Sequence, residues 1–207
     1  MKSIMYAALC TVVFMASSCQ QSTETKHDHA TTPAAPADTT THAVAAESAT
    51  KKITPLYASL DAKLSGVLAE AVGHYFQLKN ALVEDNAATA ATGAKAMTAS
   101  LQQLDKSYFT ADQKKAYDAI EKGLREHSAQ IAASTDIKAQ RAHFVDLSNN
   151  VYELVKAFGA GKTVYHDYCP MANDDKGALW VSEISDIKNP YFGASMLTCG
   201  SVEETIN

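Results

Sequence analysis

Positive charge is scarce in this chain and nowhere concentrated. Its 207 residues carry 18 Lys and Arg against 23 Asp and Glu, a formal net charge of −5. Loss of Lys2 with an export signal would add one further negative charge. With no basic stripe and a mild acidity, nucleic acid is not an expected partner. Catalytic patterns are missing as well. No nucleophile elbow, paired-carboxylate pattern or zinc-protease helix occurs. The run Gly159-Ala-Gly-Lys-Thr163 suggests a phosphate loop but has Lys156 where the first glycine is required, and it follows a helical pattern instead of a strand. No enzymatic activity is therefore expected. Cysteine is also sparse, at four residues, and no doubled Cys-x-x-Cys zinc signature is present.

The most apolar run is short and lies at the start. Lys2 supplies a charged beginning, Ile4 to Ala16 an apolar stretch, and Ala16-Ser17-Ser18 a small-residue end. This reads as an export signal over residues 1–18, too short for a membrane span. Cys19 follows at once, as in a bacterial lipoprotein signal, although Ala16 stands where Leu is usual. Lipidation of Cys19 is the expectation, against an ordinary cleaved signal with a spare thiol. The anchor would tie the protein to the outer membrane, facing the periplasm of the bacterial envelope. Residues 19–52 are poor in large apolar side chains and rich in Thr, Ala, Ser and Pro. Such a segment cannot offset the entropy of ordering, so a disordered tether is expected. Its His27-Asp28-His29 and His42 read as incidental composition.

Residues 53–158 have helical periodicity throughout. Thr54 with Pro55 reads as a helix start. Leu60, Leu64, Val67, Ala71, Tyr75, Leu78 and Leu82 then recur at three and four. Asp85 and Asn86 break that stripe, and Ala90, Ala94, Met97, Leu101 and Leu104 begin another. Thr110-x-x-Gln113 forms a capping box ahead of Tyr117, Ile120, Leu124 and Ile131. Ser134 or Asp136 opens a fourth helix with Phe144, Leu147, Val151, Leu154 and Phe158 on one face, and Gly159 stops it. The expected fold is mainly α: an antiparallel four-helix bundle followed by a small irregular β/turn module over residues 159–207. His74, His127 and His143 fall on or near the stripes and read as core-edge histidines.

Chemistry concentrates in Tyr165 to Cys199, YHDYCPMANDDKGALWVSEISDIKNPYFGASMLTC. Thr163 to Tyr168 and Ala178 to Ser182 are β-prone, Asn173 to Gly177 and Asn189 to Gly193 are turn material, and Trp180 and Phe192 are expected anchors. Two sulfur pairs stand in mirror order, Cys169-Pro-Met171 and Met196-Leu-Thr-Cys199. Residues two apart in an extended run, or three apart in a helical turn, can share a face. Four convergent sulfurs would suit a soft ion, above all Cu(I). His166 beside the first pair, and His143 on the helix leading in, are further ligand candidates. Two other readings stand beside this one: a Cys169–Cys199 disulfide in an oxidising compartment, and methionines that only fill gaps in a core.

The blocks YFQLKNALVEDN (Tyr75 to Asn86), HFVDLSNNVYELVKAFG (His143 to Gly159), YHDYCPMANDDKGALW and NPYFGASMLTCGSVEE resemble a family of uncharacterised envelope lipoproteins. The same domain of unknown function resembles the C-terminal part of some periplasmic adaptors of copper and silver efflux. The resemblance covers roughly residues 60–206 and implies an association with heavy-metal handling. It also implies that Cys169, Met171, Met196 and Cys199 are the family's positions. The hairpin and lipoyl-like portions of such adaptors are absent from the sequence. The functional expectation is a lipid-anchored protein that buffers Cu(I) or delivers it to an efflux system. The alternative is a non-catalytic interaction module, stapled by a Cys169–Cys199 disulfide, that docks on an efflux or envelope component.

Overall fold

Four long helices carry the structure, and each begins on a side chain able to accept hydrogen bonds from its first turn. The computed structural model describes residues 50–57 and 59–207. The expected export signal, Cys19 and nearly all of the tether, with its three histidines, lie outside the described residues. Asp61 caps α1 (Ala62–Val83), Asn86 caps α2 (Ala87–Gln102), Thr110 caps α3 (Ala111–Ala133) and Asp136 caps α4 (Ile137–Phe158). The Thr110–Gln113 capping box forms as its sequence predicts. Gly159 ends α4 at φ 76°, a backbone conformation that costs glycine little.

The first helix begins later than Thr54-Pro55 suggests. Residues 54–57 are not helical, because the Leu56 and Tyr57 N–H groups donate to the Lys156 and Ala157 carbonyls at 3.0 and 2.8 Å. Those carbonyls belong to the last turn of α4 and have no partner within their own helix. Tyr57 then stacks on Phe158, ring centroids 5.4 Å apart.

The predicted stripes are the core. Tyr75, Leu78 and Leu82 of α1, Met97 and Leu101 of α2, Leu124 and Ile131 of α3, and Phe144, Leu147 and Val151 of α4 are fully buried. The face of α1 is wider than its stripe, since Leu68, Val72 and even Lys79 are buried too. A helix that packs on one neighbour needs one apolar stripe. Here α1 meets α2 on one side and the C-terminal sheet on another: Tyr75 Oη accepts the Val181 N–H at 3.1 Å.

The C-terminal part is a small sheet of four strands, not two. Strands β1 (Lys51–Ile53), β2 (Val164–Cys169), β3 (Ala178–Ser182) and β4 (Ser201–Ile206) lie in the order β1-β4-β2-β3. β2 is antiparallel to both neighbours, and β1 is parallel to β4. The end of the expected tether, Lys51 and Lys52, is therefore ordered as an edge strand, and Lys51 Nζ pairs with Glu204 at 2.7 Å. A bulge between His166 and Asp167 shifts the register of β2 against β4.

Candidate functional site

The sulfur segment is built on the end of β2 and on a loop that returns from β3 to β4. Asn189, fully buried, organises that loop. Its Oδ1 accepts the Tyr191 and Phe192 N–H groups at 2.8 and 3.2 Å. Its Nδ2 donates to the Cys199 carbonyl at 2.7 Å, and its own N–H donates to Leu197 O at 2.8 Å. A 3-10 turn, Gly193–Met196, follows, and the Cys199 N–H donates to Met196 O at 3.1 Å. A hydrogen-bonded turn thus links Met196 to Cys199 just past the 3-10 segment. Gly200 comes next at φ 137°, where a Cβ would fall 2.8 Å from the Trp180 ring and 2.9 Å from the Tyr168 carbonyl oxygen. Only glycine lets the chain pass there with Cys199 in place.

Arg141 of α4 fastens this loop to the helices. Its Nε donates to Pro190 O at 2.8 Å, and its Nη2 donates to Leu82 O at 2.8 Å and Asp85 Oδ1 at 2.6 Å. Leu82 O is one of the carbonyls at the C-terminus of α1, where a cation is favoured. Asp85 Oδ2 accepts the Ala194 N–H at 3.1 Å. Hydrogen bonds from Arg141 first, then from Ala194, hold the Asp85 carboxyl below the usual carboxylate range. Neither Arg141 nor Asn189 stood out in the sequence, because their role depends on partners distant in the chain.

The four sulfurs pair by type. Cys169, fully buried at the end of β2, and half-buried Cys199 are both free thiols. The two thiols are neighbours, and the influence of Cys169, followed by burial, pushes Cys199 up to about 11. Met171 and Met196 line one groove of about 520 Å³ together with Tyr191, Phe192, Arg141 and Val145. Cys169 and Met171 do not share a face, since Met171 lies past Pro170 and is 46% exposed. The turn that presents Met171 is a left-handed one, with Asn173, Asp174 and Asp175 at φ 55 to 60°. Asn and Asp tolerate this conformation better than other residues with side chains.

The two candidate histidines lie apart from the groove. His166 lies against Tyr152, ring centroids 4.2 Å apart and planes tilted by 31°, with Nδ1 3.6 Å from Glu204 Oε2. Burial lowers its pKa, against the opposing pull of Glu204. Glu204 itself accepts hydrogen bonds from Lys51 and Tyr152. His143 stands beside His127 of α3. The groove takes Lys138, Arg141, Ala142 and Val145 from α4, and a helical residue one position beyond Ala142 turns by about 100° toward another neighbour.

A second polar cluster sits beneath β2 and β3. Asp167 is fully buried, and both its carboxylate oxygens lack a hydrogen-bond partner. Trp180, its cross-strand neighbour, directs an indole N–H toward it without a well-aligned bond. Burial pushes the Asp167 carboxyl up to about 8, although the Lys79 charge opposes this. Lys79, fully buried, pairs with Glu183 at 2.9 Å and donates to Ser182 Oγ at 3.2 Å.

By donor type, two neighbouring thiols and two thioethers, of which Met196 is one turn from Cys199, suit a soft ion, although neither cysteine lines the groove that holds the methionines. Among the described residues, no three His, Cys, Asp or Glu side chains are grouped so as to hold a metal. A metal at this site would therefore rest on the two thiols supplemented by thioether sulfur.

In class, this is a mainly helical protein of four long helices with a small C-terminal sheet. A domain of unknown function, described as Protein of unknown function (DUF3347), is found over residues 71–163. It spans most of the helical part and stops before Cys169. No curated protein and no solved structure matches the chain.

Proposed function

We propose that this is a lipid-anchored envelope protein that binds a soft metal ion, above all Cu(I), for heavy-metal buffering or delivery to efflux. The observation that carries this reading is that the free Cys169 and Cys199 thiols are neighbours, with Met196 one hydrogen-bonded turn from Cys199. Thiolates would supply charge and affinity, while thioethers supply soft ligation that needs no deprotonation. Met171 and Met196, open to the groove, would meet an incoming ion, and the less accessible thiols would retain it. The framework on this reading is an antiparallel up-down bundle. Its support is that consecutive helices contact one another and that residues 84–86 and 134–136 are the whole of two connections. Anchoring through Cys19 and the efflux connection rest on the sequence and its family resemblance.

Reduced protein is expected to take up about one Cu(I), with zinc competing poorly, because thioether suits Cu(I) and not zinc. Changing Met171 and Met196 together to Leu keeps volume and apolarity, so stability should move by less than about 1.5 kcal/mol. Copper affinity should nevertheless fall markedly in a competition titration. No copper bound by the reduced wild type would end this reading. A native protein without titratable thiols, and with silent methionines, would establish the disulfide-stapled interaction module instead. For the anchor, Cys19→Ser should move the protein from the membrane to the soluble envelope fraction. Unchanged fractionation would rule lipidation out.

A further inference from the structure

Helices α3 and α4 hold two histidines that the sulfur segment does not use. Nδ1 of His127 and Nδ1 of His143 are 3.4 Å apart, with ring centroids at 5.6 Å. Both side chains are half-buried, so the pair lies at the solvent edge of the α3/α4 seam. The seam is tight there. One turn before His127, a Cβ on Gly123 would fall 2.5 Å from the Asn150 side chain. Asn150 in turn bonds back to the Asp146 carbonyl at 2.6 Å. Asp146 Oδ2 lies 3.8 Å from His127 Nε2, the ring nitrogen that does not face His143.

A separation of 3.4 Å is long for a hydrogen bond between two nitrogens. It does match the edge of a tetrahedron whose centre is about 2.0–2.1 Å from each nitrogen, the usual zinc–imidazole distance. We propose that His127 and His143 form a divalent transition-metal site of the zinc class, each ligating through Nδ1. Water would complete the coordination, since no third ligating side chain is grouped with them among the described residues. Asp146 lies near the remaining nitrogen of His127, at 3.8 Å, the place from which a carboxylate backs many metal-bound imidazoles. With two protein ligands, this is an exchangeable site. Its nitrogen donors set it apart from the sulfur pair, and it stands whether or not that pair binds copper. An ion bound here would also clamp α3 to α4, because both ligands come from different helices.

The test uses the full chain with His27, His29 and His42 changed to Ala, which removes competing imidazoles. The thiols are blocked by alkylation where accessible. Titration with Zn²⁺ should give one saturable site, and Co²⁺ in its place should show d–d bands without thiolate charge transfer. At a hundredfold excess over Kd, Zn²⁺ should raise the thermal midpoint by about 5 °C or more. His127→Asn and His143→Asn should each lower Zn²⁺ affinity by at least about tenfold and abolish the midpoint rise. Their metal-free midpoints, together with those of a His143→Gln variant, establish that the helices still pack. Two results overturn the proposal: no saturable Zn²⁺ binding by the parent chain, or the same binding by parent and histidine variants.

Discussion

Replacing Lys79 by Ala is expected to cost about 3–5 kcal/mol of stability, the typical penalty for removing one partner of a buried ion pair. Lys79 is fully buried, and its Nζ holds Glu183 Oε2 at 2.9 Å. Burial by itself would raise Glu183, but hydrogen bonds from Lys79 and Asn80 keep its carboxyl below the ordinary range. Without Lys79, Glu183 retains only Asn80 as a side-chain partner, at 2.7 Å. Lys79→Met combined with Glu183→Gln removes both charges and keeps most of the volume, so it should recover the greater part of the loss. Trp180 is the single tryptophan, is fully buried, and gives a fluorescence readout for urea unfolding. A loss below about 1 kcal/mol for Lys79→Ala would contradict the buried pairing.

Asp167→Asn should act in the opposite direction and stabilise the protein near neutral pH. The Asp167 carboxyl is raised to about 8 in the folded chain, chiefly by burial. In the unfolded chain it titrates near the ordinary value of about 3.9. Between those two values the folded state binds the extra proton, so rising pH favours unfolding. The contribution is most favourable below about pH 4 and declines by up to about 1.4 kcal/mol per pH unit until about pH 8. Asn carries no charge and lacks this slope. The stability gap between variant and wild type should therefore widen from pH 5 to pH 8, reaching on the order of a few kcal/mol. Urea unfolding across that range measures it, and a gap independent of pH would mean that Asp167 is ionised in the folded protein.

Both expectations arise from polar groups buried under the sheet, where the sequence is least legible. Lys79 occupies a position on α1 that a single apolar stripe would leave in solvent, and only the sheet packed on that face encloses it. Asp167 lies in a strand whose β-propensity is plain, but the bulge after His166 and the cover of β3 decide that it points inward. Strand β4 was hidden for a related reason: Glu204 takes an inward position and breaks the apolar alternation. Its charge is met by Lys51 of β1, from the other end of the described chain.

By itself, the sequence determined the four long helices and most of their boundaries. Their caps and stop are local: Asn86, the Thr110–Gln113 box, Asp136 and Gly159 bond within a turn or two of themselves. Periodic apolar residues then fix the buried faces, since a helix must cover its stripe whatever its neighbour. The Met196–Cys199 turn, suggested by their spacing of three, is likewise closed by a local hydrogen bond. Tertiary structure decided which sulfurs come near one another, Cys199 beside Cys169 and both methionines on one groove, because these segments are far apart in the chain. It also placed His143 opposite His127 instead of the sulfur loop, since helix packing sets which side chains meet across a seam and spacing along one helix does not.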